Sequence, residues 1–372
     1  MTARTRRVWT LQPSRFAALS RGRARLAWVA VLALLLASLT ALAVPSLAGD
    51  GDAGARAADH MTDLGLYERV VAGMKGGDGY YVAASEAMRA GGYPLHPFLT
   101  MRLPALAVVQ AAVPGWVSIL LLLGLATGTA AAWAARLGGA LVGIAPRAVL
   151  VLLLAASMLA FFQPGLALFH EVWAGLFVAL SLALRRPGRA LEAIALGLAA
   201  MLIRETAALY ALVMLAFAWR ENRRAEAMGW CMALLLFAGA LALHAHAVRG
   251  VTGPLDLRSA GWAAFNGPGF FVRALVTSTA LQSLPLALGA VLVGLALVGW
   301  ASWDDPLGLR MFALLVAYGT ALSVFARLDT FYWALLVAPP ALAGLVFAPD
   351  ALSDLWHRAL DRRRITVTTV VQ

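Results

Sequence analysis

A carboxylate flanked by glycines, Gly76-Gly77-Asp78-Gly79, is followed at once by Tyr80 and Tyr81. A loop carboxylate of this kind can take the proton of an attacking hydroxyl. Elsewhere, ionisable residues interrupt or border apolar stretches: Arg102, His170-Glu171, Arg204-Glu205, His244, His246, Arg249, Arg258, Arg273, Arg327 and Asp329. Charges in such surroundings are costly and face a cavity or a partner. Arginine offers fixed donor geometry to phosphate oxygens. A carboxylate base together with guanidinium groups on a phosphate leaving group is the equipment for group transfer from a phosphate ester to a hydroxyl. Other chemistries lack their residues. His170-Glu171-Val172-Trp173-Ala174 has no second histidine for zinc, and His244 and His246, two apart, point to different helix faces. No metal and no cofactor are expected. The glycine cluster lacks the Gly-Lys-Ser/Thr ending of a phosphate loop, and no serine elbow or cysteine–histidine pair is present.

Each candidate also has a structural reading. Arg204-Glu205 and Arg327/Asp329 can be local ion pairs, His170-Glu171 a structural pair, and Asp304-Asp305 a helix-capping turn. Trp262, Phe265, Phe270, Phe271, Phe331, Tyr332 and Trp333 fit an interfacial aromatic belt, or a groove for a lipid.

The elements that must position these residues are membrane helices. Of 372 residues, 62% are hydrophobic and 13% charged, with mean hydropathy +0.79. A soluble domain carries about 25% charge, so a soluble globular enzyme is excluded. A single cysteine, Cys231, excludes a disulfide scaffold. The net charge of +11 is almost wholly arginine, since Lys75 is the only lysine. Placed by the positive-inside rule, most of it sets topology and none of it calls for nucleic acid.

The expected organisation is a basic cytoplasmic N-terminus (1–25), one transmembrane domain (26–348) with an outer loop over 49–102, and a cytoplasmic tail (349–372). An apolar run over 26–48 reads as a retained first helix rather than a cleaved leader. Alternation of apolar runs then gives about ten crossings in an all-α polytopic protein, with both termini inside. Two crossings are half-length. Residues 190–219 as one helix would put Arg220, Arg223 and Arg224 outside, so a turn is expected near Arg204-Glu205-Thr206, facing a water-filled cavity. Residues 273–280 read as interfacial, and 331–347 as a last crossing bent at Pro339-Pro340. On this topology the ionisable candidates gather at outer helix ends, where no nucleotide sugar is available. A sugar there must arrive on a lipid carrier.

The segment Asp78-Gly-Tyr80-Tyr81-Val-Ala-Ala84-Ser-Glu86-Ala-Met-Arg89-Ala-Gly91-Gly92-Tyr93-Pro94 resembles the first outer loop of the glycosyltransferase C superfamily, closest to its bacterial branch that uses polyprenyl-phosphate sugars. His170-Glu171-x-Trp173-Ala174 and Arg327-x-Asp329-Thr-Phe-Tyr-Trp333 are similar to members linked with cell-surface glycopolymer formation. The resemblance implies Asp78 as base with Tyr81 beside it, and short broken helices around an outer cavity. Asp50 and Asp52 compete for the role of base, because relatives place the acid close after the first helix. With Glu86, His96, Arg102, His170, Glu171, Arg204, Glu205, His244, Arg249, Arg327 and Asp329 as substrate contacts, the implied activity moves a sugar from a polyprenyl-phosphate donor to a glycan or glycolipid acceptor. The implied setting is the outward face of a bacterial inner membrane. A lipid-linked glycan polymerase or ligase, and a glycolipid flippase, are the competing readings.

Overall fold

The computed structural model describes residues 9–45 and 62–360; Asp50 and Asp52 lie outside them. Among the described residues the regular structure is helical, with three isolated bridge pairs and no strands. Fourteen α-helices run in order: α1 (Arg21–Leu39), α2 (Asp63–Lys75), α3 (Tyr80–Ala90), α4 (Ala105–Ala112), α5 (Gly115–Gly138), α6 (Ile144–Ser157), α7 (His170–Leu184), α8 (Leu191–Ile203), α9 (Ala208–Arg220), α10 (Arg224–Val251), α11 (Pro268–Thr277), α12 (Leu286–Ser302), α13 (Pro306–Phe325) and α14 (Ala348–Leu360). Among the described residues, four stretches are long and apolar enough to cross a membrane: Arg21–Ala43, Gly115–Gly138, Arg224–Val251 and Pro306–Phe325. Five further apolar helices are shorter. The chain has the make-up of a helical membrane protein.

Both described ends meet on one face. The backbone amides of Trp9 and Thr10 donate to Asp350 Oδ2 (3.0 and 2.7 Å), and that of Ser14 donates to Asp354 (3.0 Å). Arg15 reaches Asp304 (3.1 Å), and Thr10 pairs with Leu141 in the α5–α6 turn. Asp305 caps α13, its side chain accepting from the Leu307 amide (2.7 Å), as the capping reading of Asp304-Asp305 requires.

The same face holds a buried ion network. Arg185 donates to both oxygens of Glu226 (2.9 and 2.8 Å), while Glu221 accepts from Arg310 (2.6 Å) and Arg223 (2.9 Å). Arg185 and Arg310 lock the α7–α8 and α9–α10 turns to α13.

The break expected near Arg204 is present. Arg204 leaves the helical conformation (φ −141°, ψ 113°), and a 3₁₀ turn over Glu205–Ala207 separates α8 from α9. Each half has 13 residues, or about 20 Å at 1.5 Å per residue, short of a ~30 Å hydrocarbon core. Tyr318 holds the turn by donating to the Thr206 carbonyl (2.8 Å).

One expectation changes. Residues 331–347 form no continuous helix but two 3₁₀ segments, Leu328–Leu336 and Ala341–Val346. Pro339 and Pro340 supply no amide donors between them. Glycines receive the backbone on either side: the Leu335 carbonyl lies where a Cβ on Gly175 would sit, and the Gly344 carbonyl where one on Gly299 would sit. Residues 273–280 are well packed within the protein. They belong largely to α11, whose Phe270, Phe271, Val272 and Leu275 are buried against α12, α13 and the 3₁₀ turn Thr40–Ala43.

Candidate functional site

On the face opposite the described termini, α2 and α3 form an antiparallel pair joined at Gly76-Gly77-Asp78-Gly79. α2 starts where the Thr62 hydroxyl accepts from the Gly65 amide (3.2 Å), with Asp63 in its first turn. Its apolar positions Leu66, Tyr67, Val70 and Val71 share the buried face. It stops at Gly76-Gly77, where Gly77 adopts φ +109°. The glycine cluster is therefore a helix-to-helix turn. α3 packs closely because Gly73 leaves room for Ala83.

A cavity of about 250 Å³ opens beneath this pair. Its charged lining is Asp63, Arg102, Arg327 and Asp329; its polar and aromatic walls include Tyr67, Tyr80, Tyr93, Gln110, His170, Ser259, Trp262 and Tyr332. Asp63 Oδ1 accepts from the Tyr93 hydroxyl (2.9 Å). Burial, and then the Asp63 charge, push the Tyr93 hydroxyl above its ordinary range, so it remains a donor. Burial likewise pushes Tyr67 up to about 12 against the pull of Arg102, to which it is hydrogen-bonded (3.2 Å). Arg327 and Asp329 pair with each other at the exposed rim (2.5 Å).

Arg102 is held at its backbone. The Tyr80 hydroxyl donates to its carbonyl (2.5 Å). Next door, His244 Nε2 donates to the Met101 carbonyl (3.1 Å), which leaves Nδ1 to accept from the Tyr81 hydroxyl (3.2 Å). Tyr81 and His244 are thus props behind the cavity wall, outside its lining. Gln110 donates to the Ala167 carbonyl (2.6 Å), which also accepts from Trp173 (2.7 Å).

Behind the wall, Glu171 and Arg204 are buried at 0% and 2% exposure, 2.5 Å apart, and Arg204 also pairs with Glu205. Arg102 Nη2 lies 3.8 Å from Glu171, and its Nη1 lies 3.8 Å from Glu205. His170 is 3% exposed, lines the cavity and tilts against Tyr67 at 4.7 Å between ring centroids. Both of its ring nitrogens are buried without a hydrogen-bond partner.

A second wall comes from the 252–267 segment, stitched over the opening. Arg89 donates to both oxygens of Asp256 (2.8 Å each) and to the Val251 carbonyl (2.6 Å). His96 donates to the Gly253 carbonyl (3.1 Å), and the Ser259 amide donates to the His96 carbonyl (2.7 Å). These ties set Ser259 and Trp262 at the cavity.

Of the residues expected from sequence, Arg102, His170, Arg327 and Asp329 line the cavity, and Glu171, Arg204 and Glu205 stand directly behind Arg102. Asp78, Glu86 and Arg249 are exposed and outside its lining. Asp78 sits in the α2–α3 turn, its backbone amide donating to the Gly73 carbonyl (3.2 Å). Asp63, Tyr67, Tyr93 and Gln110 are added by the structure. Thr62-Asp63 ahead of Leu66, Tyr67, Val70 and Val71 is an N-cap signature that marks Asp63 as a helix-start carboxylate. Among the described residues no cluster of three or more metal-ligating side chains occurs. Comparison with family models, curated proteins and solved structures returns no match.

Proposed function

We propose that the protein is a membrane glycosyltransferase that moves a sugar from a polyprenyl-phosphate carrier to a glycan or glycolipid acceptor of the cell envelope. The observation that carries this reading is one cavity lined by both a carboxylate, Asp63, and a guanidinium, Arg102. We assign the base to Asp63 rather than Asp78, because Asp63 lines the cavity and Asp78 does not. Asp63 takes the acceptor hydroxyl's proton as its oxygen attacks the anomeric carbon. The bond from that carbon to the phosphate oxygen breaks, its electron pair stays on the phosphate, and Arg102 receives the charge. The Asp63 proton then leaves to solvent. Tyr93 orients the carboxylate through its hydrogen bond.

The remaining assignments follow from charge. Arg136, Arg147, Arg185, Arg186, Arg189, Arg220, Arg223 and Arg224 lie at the helix ends and turns on the face of the described termini, which by the positive-inside rule is cytoplasmic. The cavity then faces outward, across a bacterial inner membrane. Counting α8 and α9 as half-length gives ten crossings in a glycosyltransferase C-like arrangement.

The test is transfer by the purified full-length protein of radiolabelled sugar from polyprenyl-phosphate hexoses to extracted envelope glycolipids, paired with glycan profiling of a deletion strain. Under-glycosylated acceptor in that strain is the expected result. Full-length lipid-linked units accumulating on the inner leaflet, with no transfer in vitro, would replace this reading with transport.

A further inference from the structure

Four charges, Arg102 ahead of α4, Glu171 at the α7 start, and Arg204 and Glu205 at the α8–α9 break, are unequally coupled. Arg102 and Arg204 carry +2, Glu171 and Glu205 carry −2, and the set is neutral. Arg204 holds Glu171 at 2.5 Å and is in direct contact with Glu205, whereas Arg102 stands 3.8 Å from each carboxylate. Coulomb attraction falls with distance, so at Glu171 the pull of Arg204 exceeds that of Arg102 by 3.8/2.5, about 1.5-fold. Arg204 is also walled off from the cavity, 2% exposed, with Trp333 on its other side at 5.8 Å from ring centroid to guanidinium carbon. Arg102 is the member of the set that lines the cavity.

A second observation points to a ligand at the same place. His170 is 3% exposed, lines the cavity, and has no hydrogen-bond partner on either ring nitrogen. Buried polar atoms without partners are uncommon and call for an explanation. His170 is also the first residue of the 15-residue α7, whose amino end carries partial positive charge.

We propose that Arg204 is an internal counter-ion: by neutralising Glu171 and Glu205 it frees Arg102 to bind an anionic phosphoryl group in the cavity, beside His170 and the start of α7. Arg204 acts through Arg102 and is a positioning residue. This deepens the functional reading above and rests on its assignment of Arg102 to the phosphate. Without Arg204, the two carboxylates would capture Arg102 and leave the set at −1.

The experiment measures equilibrium binding of farnesyl phosphate and of inorganic phosphate to the full-length protein in nanodiscs, with farnesol as the uncharged control. The variants are Arg204→Met (set at −1), Glu205→Gln (set at +1) and the double variant (set at 0). Arg204→Met is expected to weaken farnesyl phosphate binding by about tenfold or more, and Glu205→Gln to tighten it by about threefold. The double variant should return to within about threefold of wild type. Tighter binding of farnesyl phosphate than of inorganic phosphate supports a lipid headgroup as ligand; equal affinities support the same site for free phosphate.

A merely structural role for Arg204 predicts the reverse at Glu205: weaker binding in Glu205→Gln and no recovery in the double variant. That result overturns the proposal, as does farnesol binding as well as farnesyl phosphate. Glu205→Gln decides the matter even if Arg204→Met fails to fold. Sugar transfer is scored separately. The predicted binding order with no transfer would refute the glycosyltransferase and leave the counter-ion standing, whereas transfer with flat binding would refute the counter-ion alone.

Discussion

Replacing Asp63 by Asn separates the proposed base from its scaffold. The amide keeps an oxygen to accept the Tyr93 hydrogen bond, which the carboxylate accepts at 2.9 Å, and the Thr62 cap is untouched. What the structure loses is one negative charge in the first turn of α2, worth about 0.3–1 kcal/mol against the helix dipole. That lowers the melting temperature by at most a few degrees. What the proposed reaction loses is its proton acceptor. General-base catalysis contributes roughly 10²–10⁴-fold, which at 1.36 kcal/mol per decade is about 3–5 kcal/mol of the barrier. Sugar transfer by Asp63→Asn should therefore fall at least about a hundredfold, mainly in kcat, with near-normal melting. Asp78→Asn changes an exposed turn outside the cavity and should stay within about 0.5 kcal/mol in stability and near wild type in transfer. Purified variants in nanodiscs, assayed with one polyprenyl-phosphate hexose, give both numbers. An Asp63→Asn protein that keeps a third or more of wild-type transfer, beside an inactive Asp78→Asn, would return the base to the glycine-flanked turn.

Three further outcomes follow from named contacts. The Arg89 hydrogen bonds hold the Asp256 carboxyl well below the usual carboxylate range, so the clasp on the 252–267 segment gains stability that is present above the ordinary Asp value near 4 and is lost as pH falls through the depressed one. Hydrogen exchange in that segment should be flat from pH 8 to 5, after correction for intrinsic rate, and Asp256→Asn should raise it across that window; a rise in wild type between pH 7 and 5 contradicts the assignment. Glu221→Gln leaves the buried Arg310 with a weakened partner and should cost about 2 kcal/mol, less than the roughly 3–5 for a fully buried pair because Glu221 is partly exposed; an unchanged midpoint in denaturant titration argues against the network. Gly344→Ala would drive a Cβ into the Ala296 carbonyl and the Trp300 ring, costing about 1–3 kcal/mol, whereas Gly124→Ala meets nothing within 4 Å and should not destabilise; equal melting temperatures for the two would refute the close approach.

Charge and hydropathy made the membrane class and the broken α8–α9 element legible, because Arg185–Arg189 and Arg220–Arg224 cannot share a face if residues 190–219 form one helix. The polar set was legible for the same reason: ionisable residues stand out against apolar runs. The cavity's membership was not. Tyr81 and His244 are as polar in the sequence as His170, yet they satisfy each other through one hydrogen bond and leave the lining to others. Asp78 carries the resemblance, but Asp63, fifteen residues earlier, is what α2 delivers to the cavity. Only the antiparallel pairing of α2 and α3 decides which end of the loop faces inward, and spacing does not encode that pairing. The path of the 331–347 segment was not legible, because its apolar composition suits a helix while its course is dictated by carbonyls seated on Gly175 and Gly299, a partnership across more than 40 residues in one case and 150 in the other.

The two buried ion networks show why burial and charge alone do not locate a site. On the face of the termini, Arg185 makes a two-pronged pair with Glu226 at 2.8–2.9 Å, and Glu221 accepts from two arginines at 2.6 and 2.9 Å. There the charges meet at hydrogen-bond distance, and their effect is to fasten two turns to α13. At the cavity the same residue types stand differently. Arg102 is 3.8 Å from both carboxylates, and His170 and both oxygens of Glu171 lack hydrogen-bond partners. An incomplete network in a buried setting is unfavourable by itself. It persists in a fold whose neighbouring helices fix its members in place; His170 and Arg102 line the cavity, while Glu171 stands behind Arg102. Desolvated charge that is positioned but not consumed by its neighbours is what a site needs to bind an anion: Arg204 is held by Glu171 at 2.5 Å, and the 3.8 Å stand-off of Arg102 is the feature the proposed site uses.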